Sequence, residues 1–463
     1  MVAQAGRQQI AAMALNANDV DMPGRSMQRL ALIAATGLFC IAACSSPDRA
    51  FAAGYAVGDE PLAVKAGATV LAQGGTAADA ATSMFFTMAV TYPVAAGLGS
   101  GGVCLVHSPV TATNEAFEFL PRDAVGGGNY AVPGSIAGFA ALQSSYGHLS
   151  WQRAVGTAEG LAGAGFPIAH ALALRLKASE SLIRLDATLA AEFLNENGAL
   201  RNEGDIATNA DLSQSLATIR VSGQEGFYSG ALAQKIVDYS ASQGGTISLP
   251  ELQGYRVARV QPPPMKVGSN DVIFPSANSP AGAFARAMLA QLVDTTGVVL
   301  SPDTLVNATA QATRIMLAKL SIASTAQDLG AANFAAVDDS GEAVACAVTM
   351  NGRFGSDHTA AGTGITLANA SAKSGSSATF LTPVIATQGG TVAFTGAGAG
   401  GPNGTAAIIY SVVSDSSGRD SGVRATGVEP FETVNAITCT KTGCTAFADP
   451  NASGLALGSA APH

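Results

Sequence analysis

Charge is what this chain of 463 residues has least of: Asp, Glu, Lys and Arg together make up 12 % of it, about half the usual share. Its solvent face must therefore rely on Ser, Thr, Asn, Gln and Gly. The net charge is −9, which gives no support to nucleic-acid binding, since that needs a basic patch. No run of like charges marks a tail or a membrane-surface helix. The five histidines (His107, His148, His170, His358 and His463) form neither an H-x-x-x-H nor an H-E-x-x-H pair, so metal-ligand spacing is missing. A G-x-S-x-G elbow is missing too, which leaves a serine hydrolase of the α/β type unsupported. The carboxylates are scattered, with no convincing acid/base pair, and no repeat recurs at a fixed period. What the chain does have is 48 % hydrophobic residues and 53 glycines, enough to bury a large core.

The amino terminus is specific. Arg25 and Arg29 precede an apolar run over residues 30–43, too short to span a bilayer as a permanent helix. The run ends in Ile41-Ala42-Ala43-Cys44, followed by Ser45-Ser46. This resembles a bacterial lipoprotein signal, in which small residues admit the signal peptidase and the cysteine, here Cys44, takes the lipid. The alternative is a plain secretory peptide cut near "AFAAG". Residues 1–43 are thus expected to be a signal, with the usual start at Met22 or Met27. The chain is expected in the periplasm, held to the membrane only through its lipid, with Ser45 after the cysteine favouring the outer membrane. Export permits disulfides. Cys439 and Cys444, close together in "TCTKTGC", are candidates for a local one, whereas Cys104 and Cys346 sit in apolar runs and read as buried small hydrophobes.

Along the chain, "EPLAVKAGATVLAQGG" and "TAADAATSMFFTMAVTY" read as two helices, the second opening at Thr76 with Asp79 in its first turn. The loop "GLGSGG" leads into "VCLVHSP", which "NEAFEFLP" continues as a hairpin. Helical segments follow over about 150–238, then strand, loop and helix around 272–293. Past Ala331 the pattern turns to strands, near 333–338, 343–350 and 391–395. Helices feeding antiparallel strands imply an α+β architecture of packed layers in one compact domain. Two stretches match G-x-G-x-x-G. The one at Gly97, Gly99 and Gly102 precedes a strand, the wrong order for a phosphate loop; the one at Gly396, Gly398 and Gly401 has the right order but no complete βαβ unit. The second reads best as a loop whose bare backbone approaches another chain segment or a ligand.

Taken in order, "AVGDEPLAVKAGATVLAQGGTAADAATSMFFTMAVTYPVAAGLGSGG", "AVPGSIAGFAALQSSYGHLSWQRAV", "GFYSGALAQKIVDYSASQGGTISLPELQGY", "FAAVDDSGEAVACAVTMNGRFGS" and "GTGITLANA" resemble the gamma-glutamyltransferase family over about residues 54–457. The resemblance implies the N-terminal-nucleophile hydrolase fold, a four-layer αββα sandwich. It also implies a large-subunit equivalent over 44–330 and a small-subunit equivalent over 331–463. In the family a precursor cuts itself, and the threonine freed at the new amino terminus attacks an acyl carbon with its own α-amine as base. The products are transferred or hydrolysed gamma-glutamyl groups of glutathione and related amides.

The resemblance places that nucleophile on Ala331, next to Ala332, and residues 330–336 hold no Ser, Thr or Cys. Asn351 matches an asparagine that helps hold substrate. Gly400 and Gly401 match paired glycines whose amides form the oxyanion hole. Thr379 falls in the family's serine-rich segment, where Phe380 lacks the second hydroxyl. The arginine that grips the substrate carboxylate falls on Leu120, with Arg122 as a candidate replacement. The acidic residue for the substrate amine falls near Lys373. The reading is an uncleaved, catalytically impaired relative that binds a small gamma-glutamyl ligand or a protein partner and needs no cofactor or metal. The alternative is an active gamma-glutamyltransferase or glutathione hydrolase with another nucleophile.

Overall fold

The computed structural model describes residues 51, 53–300, 302–322, 328–371, 377–418, 431–450 and 452–459. The chain divides into a unit Met1–Asp48 and a unit Arg49–His463. The first, with the expected signal and Cys44, lies outside the described residues, as does Lys373.

Among the described residues, thirteen strands form two large sheets. In chain order they are β1 (Tyr55–Gly58), β2 (Gly101–Ser108), β3 (Thr113–Phe119), β4 (Ala258–Val260), β5 (Met265–Val267), β6 (Asn270–Ile273), β7 (Ala331–Val337), β8 (Ala343–Thr349), β9 (Thr382–Gln388), β10 (Thr391–Ala399), β11 (Thr433–Thr440), β12 (Gly443–Phe447) and β13 (Leu455–Gly458). The first sheet runs β13-β1-β7-β8-β2-β3-β4 and the second β12-β11-β10-β9-β6-β5, every neighbouring pair antiparallel.

The alternation of β7 explains the layering. Ala332, Phe334 and Ala336 enter a core under the helices, while Ala335 and Val337 face the second sheet with Leu105, Ala345, Ile385 and Ile437. A third core packs the far face of the second sheet against other helices. The result is the four-layer αββα sandwich expected.

The helices that matter here are α1 (Pro61–Ala72), α2 (Ala77–Thr91), α3 (His170–Ala178), α4 (Ala187–Phe193), α5 (Ala210–Ser222), α6 (Pro280–Leu289), α7 (Leu305–Lys319) and α8 (Pro402–Ser416). All fifteen residues of α2 are buried, which its small and apolar composition on every side allows. Its start is fixed by a Thr76–Asp79 capping box. Two carboxylates from the β7–β8 turn add to this: Asp338 accepts from Ala77 N at 3.0 Å and Glu342 from Ala78 N at 3.1 Å. Both sit where the helix dipole favours negative charge. Burial first, then the neighbouring Asp338 charge, pushes the Glu342 carboxyl up to about 8.

One expectation needs correcting. Cys104 and Cys346 are buried, but they are bonded to each other and are not independent hydrophobes. They occupy directly opposed positions of β2 and β8, with Cα atoms 4.1 Å apart, so the register itself brings the sulfurs together. Cys439 and Cys444 form a second disulfide across the β11–β12 hairpin.

Candidate active site

Strand β7 begins at Ala331, and the bond before it is held from both sides. Gly330 adopts φ +58°, and a Cβ there would lie 1.8 Å from Gly352 O, so only glycine fits. The Gly330 carbonyl oxygen accepts from Met350 N at 2.9 Å and from Thr349 Oγ1 at 3.1 Å. Asp328 Oδ1 accepts from Gly330 N at 2.8 Å. Arg175 of α3, 2 % exposed, grips Asp328 through Nε at 2.9 Å and a second, shorter contact, and reaches Ala331 O at 3.2 Å. Its guanidinium lies over Tyr92 at 5.2 Å and Phe431 at 5.3 Å. Nothing in the linear pattern marked Arg175 or Asp328: one sits mid-helix, the other 153 residues away.

Just past Ala331, a second buried network begins at Asn333. Asp59 accepts from Asn333 N at 2.8 Å, Thr433 Oγ1 at 3.0 Å and Asn435 Nδ2 at 2.7 Å. The Asn333 amide in turn donates to Thr433 Oγ1 at 2.7 Å. Burial raises the Asp59 carboxyl to about 6, against the lowering pull of these bonds and the Arg175 charge. The one signal available beforehand was Asn333 as the sole polar residue of "AANFAAV".

Between these braces the side chain of Ala331 is a methyl group, with nothing to donate or accept. It packs with Ala281, Ala347, Leu381, Ala397 and Ala399, and Leu120 closes against them. Leu120, where the carboxylate-gripping arginine was expected, is thus part of the same apolar cluster. Arg122 turns elsewhere: it is exposed, lies over the Tyr255 ring at 4.4 Å and donates to Arg256 O.

Thr379 lines an apolar groove of about 510 Å³ between α6 and α7. The hydroxyl from that segment which reaches the site is Ser377: its Oγ lies 2.7 Å from Thr349 Oγ1 and 3.1 Å from Leu329 O. Asn351 stands beside them with φ +56°, a conformation a non-glycine residue adopts at some cost. Its amide nitrogen donates to Asn369 O at 2.9 Å, while Oδ1, buried, has no hydrogen-bond partner among the described residues.

Gly400 and Gly401 lie where β10 runs into α8, and Gly401 caps that helix. One backbone donor of the first turn, Asn403 N, already faces a carboxylate. Glu432 Oε2 accepts from Asn403 N at 2.6 Å, and Glu432 Oε1 lies 2.2 Å from where a Gly401 Cβ would stand. The helix end therefore carries the chain's own carboxylate. Among the described residues no group of three His, Cys, Asp or Glu could hold a metal ion.

Residues 63–321 match the family model described as gamma-glutamyltranspeptidase. Glutathione hydrolase 2 of Arabidopsis thaliana is 30 % identical over 250 residues, 50 % of this chain and 43 % of that protein. The chain spans under half the length of the curated relatives it matches. Among solved structures, the cephalosporin acylase of Bacillus halodurans superposes with a TM-score of 0.69 at 17 % identity, over 88 % of this chain and 95 % of the other. The Helicobacter pylori gamma-glutamyltranspeptidase gives 0.50 at 24 % identity, over 57 % and 82 %. These likenesses agree on the N-terminal-nucleophile hydrolase fold.

Proposed function

The chain belongs to the gamma-glutamyltranspeptidase family, and from that premise we propose that it is an uncut, catalytically impaired member that has kept a binding role. The observation that carries this reading is the packing of Ala331 among alanines and leucines, Leu120 included. The family nucleophile needs an oxygen with a base beside it, and the side chain here is a methyl group in an apolar cluster. Binding and an oxyanion hole alone leave only a small residue of catalysis. Glu432 works against even that small remainder, because a carboxylate on Asn403 N, two residues past Gly401, repels a second negative charge developing beside it.

The ligand class we infer is a gamma-glutamyl amide or a related amine, in keeping with the glutathione hydrolases among its relatives. The unfilled Oδ1 of Asn351 supplies an acceptor for an N–H donor. The chain acts, in this reading, as a lipid-anchored periplasmic protein attached through Cys44. Two disulfides support an oxidising compartment.

An active enzyme is the second reading, and one observation favours it. The two donors on the Gly330 carbonyl polarise the bond that a nucleophile at 331 would attack. The intact mass of the denatured chain separates the two. A single uncut species is expected; fragments parting near residue 330 would overturn the proposal. In Ala331→Thr the same measurement is expected to find cleavage after Gly330, while hydrolysis of added gamma-glutamyl anilide stays at background because Leu120 and Glu432 are unchanged. Anilide turnover by the unmodified chain would sink the impaired reading outright.

A further inference from the structure

A groove of about 940 Å³ lies between the helix Ser135–Tyr146, the short helix Glu225–Tyr228 and the segment that runs from Leu252 into β4. That volume is in the range of small-ligand sites. None of the residues packed around Ala331 lines it. Tyr255 marks the boundary, its hydroxyl donating to Leu120 O at 2.7 Å. One part of the lining is apolar and fixed, with Ala140, Ala141, Leu149 and Trp151 half-buried. Trp151, the chain's only tryptophan, donates from Nε1 to Ile219 O at 2.8 Å and meets Phe86 in a T-shaped contact at 5.2 Å. It is therefore a rigid surface.

The groove also carries a cation and an anion that have no ionic partner among the described residues. Arg256 is pinned through Nη1, which donates to Gln253 O at 2.8 Å and Tyr255 O at 2.7 Å, leaving Nε and Nη2 unbonded. Arg259, in the same lining, shows the contrast: its Nε and Nη2 are both on Glu115, at 2.8 and 3.0 Å. The Glu225 carboxylate accepts only from Ser229 Oγ, at 3.3 Å. Gln224 and Gln253 add two exposed side-chain amides, which donate and accept as a peptide group does. A guanidinium already held by two carbonyls loses little freedom on meeting a carboxylate. Because Arg256 and Glu225 stand on different elements and do not pair with each other, the groove complements a ligand with separated charges of both signs. We propose that it binds a short peptide with free termini, the carboxylate on Arg256, the ammonium on Glu225 and an apolar side chain against Trp151. The inference does not rest on the reading of Ala331 and stands whether or not the chain is cut.

The test is the tryptophan fluorescence of the full chain titrated with trialanine, with calorimetry alongside. Since Trp151 is the sole tryptophan, the signal reports on this groove alone. A saturable change with matching heat is expected. Arg256→Gln and Glu225→Gln should each weaken binding at least about fivefold. Both residues are exposed, so neither variant threatens the fold. Trialaninamide should lose the same increment in the unmodified chain but none in Arg256→Gln, and N-acetyltrialanine should behave likewise towards Glu225→Gln. Neither fluorescence change nor heat would overturn the proposal. Heat without a change at Trp151 would place the peptide elsewhere and overturn it equally. Binding that neither variant nor either blocked terminus weakens by about twofold would also sink it, because the charged groups would then play no part.

Discussion

Ala331 and the residues flanking it lie in one strand entrance yet in two chemical worlds. Its own side chain meets methyl groups and two leucines, while Asp328 and Asn333, a few residues to either side, are clamped by a buried arginine and a buried aspartate. In the reading proposed above, losing a reactive group and losing the frame around it are therefore separable events. Alanine costs a core nothing in polar satisfaction. An orphaned partner of Arg175 or Asp59 costs a great deal, because a buried donor or acceptor left unpaired retains its full desolvation penalty. The frame thus maintains itself through stability even where no chemistry depends on it.

The strongest way to break this comparison is to cut the frame. Arg175→Met leaves Asp328 as an uncompensated buried charge, for which a loss of about 3–5 kcal/mol is expected. Urea unfolding measures it; a loss under about 1 kcal/mol would mean that the clamp is incidental.

The pH dependence tests the carboxylates around the helix start. Glu342 titrates near 8 in the folded chain against an ordinary 4.5, so between those values the folded state holds a proton that the unfolded state has released. Stability is therefore expected to fall as pH rises through this window, with Asp59, raised to about 6, adding to the lower part. Glu342→Gln should flatten the slope of unfolding free energy against pH. A slope of opposite sign would show that the α2 dipole outweighs burial.

The sequence made part of this legible. Alternation and glycine punctuation gave the β2–β3 hairpin and the β7–β8 pair, because local pattern and turn chemistry determine both. It did not give β9, β11 or β12, whose sheet membership is set by distant partners. The same limit hid the Cys104–Cys346 bond, which depends on the register of strands 242 residues apart. It hid Arg175 as well, since a mid-helix arginine reads as solvent-facing until its partner is known. The resemblance put Leu120 and Ala331 at positions of interest, but only packing revealed that they belong to one cluster.

Smaller effects sharpen the apolar side of the contrast. Ala331→Leu adds volume to a cluster already filled by Ala347, Ala397 and Leu381, and about 1–3 kcal/mol of destabilisation is expected from overpacking. A neutral or stabilising result in the same urea measurement would mean that the pocket is open, and a substrate-sized void would have to be reconsidered.

Arg122 provides the smallest and most discriminating change. Its guanidinium lies over Tyr255 on an exposed ribbon, and stacking of that kind contributes about 0.5–1 kcal/mol. Arg122→Ala should therefore cost no more than that, and binding of a gamma-glutamyl ligand, followed by calorimetry, should be unchanged. Leu120→Arg is its counterpart, placing a cation inside the apolar cluster where it meets no acid among the residues packed there. If Arg122→Ala weakened ligand binding tenfold while leaving stability intact, the arginine would be reaching the ligand after all. The carboxylate grip would then have moved two residues along the chain, and the division between a retained frame and a lost site would fall.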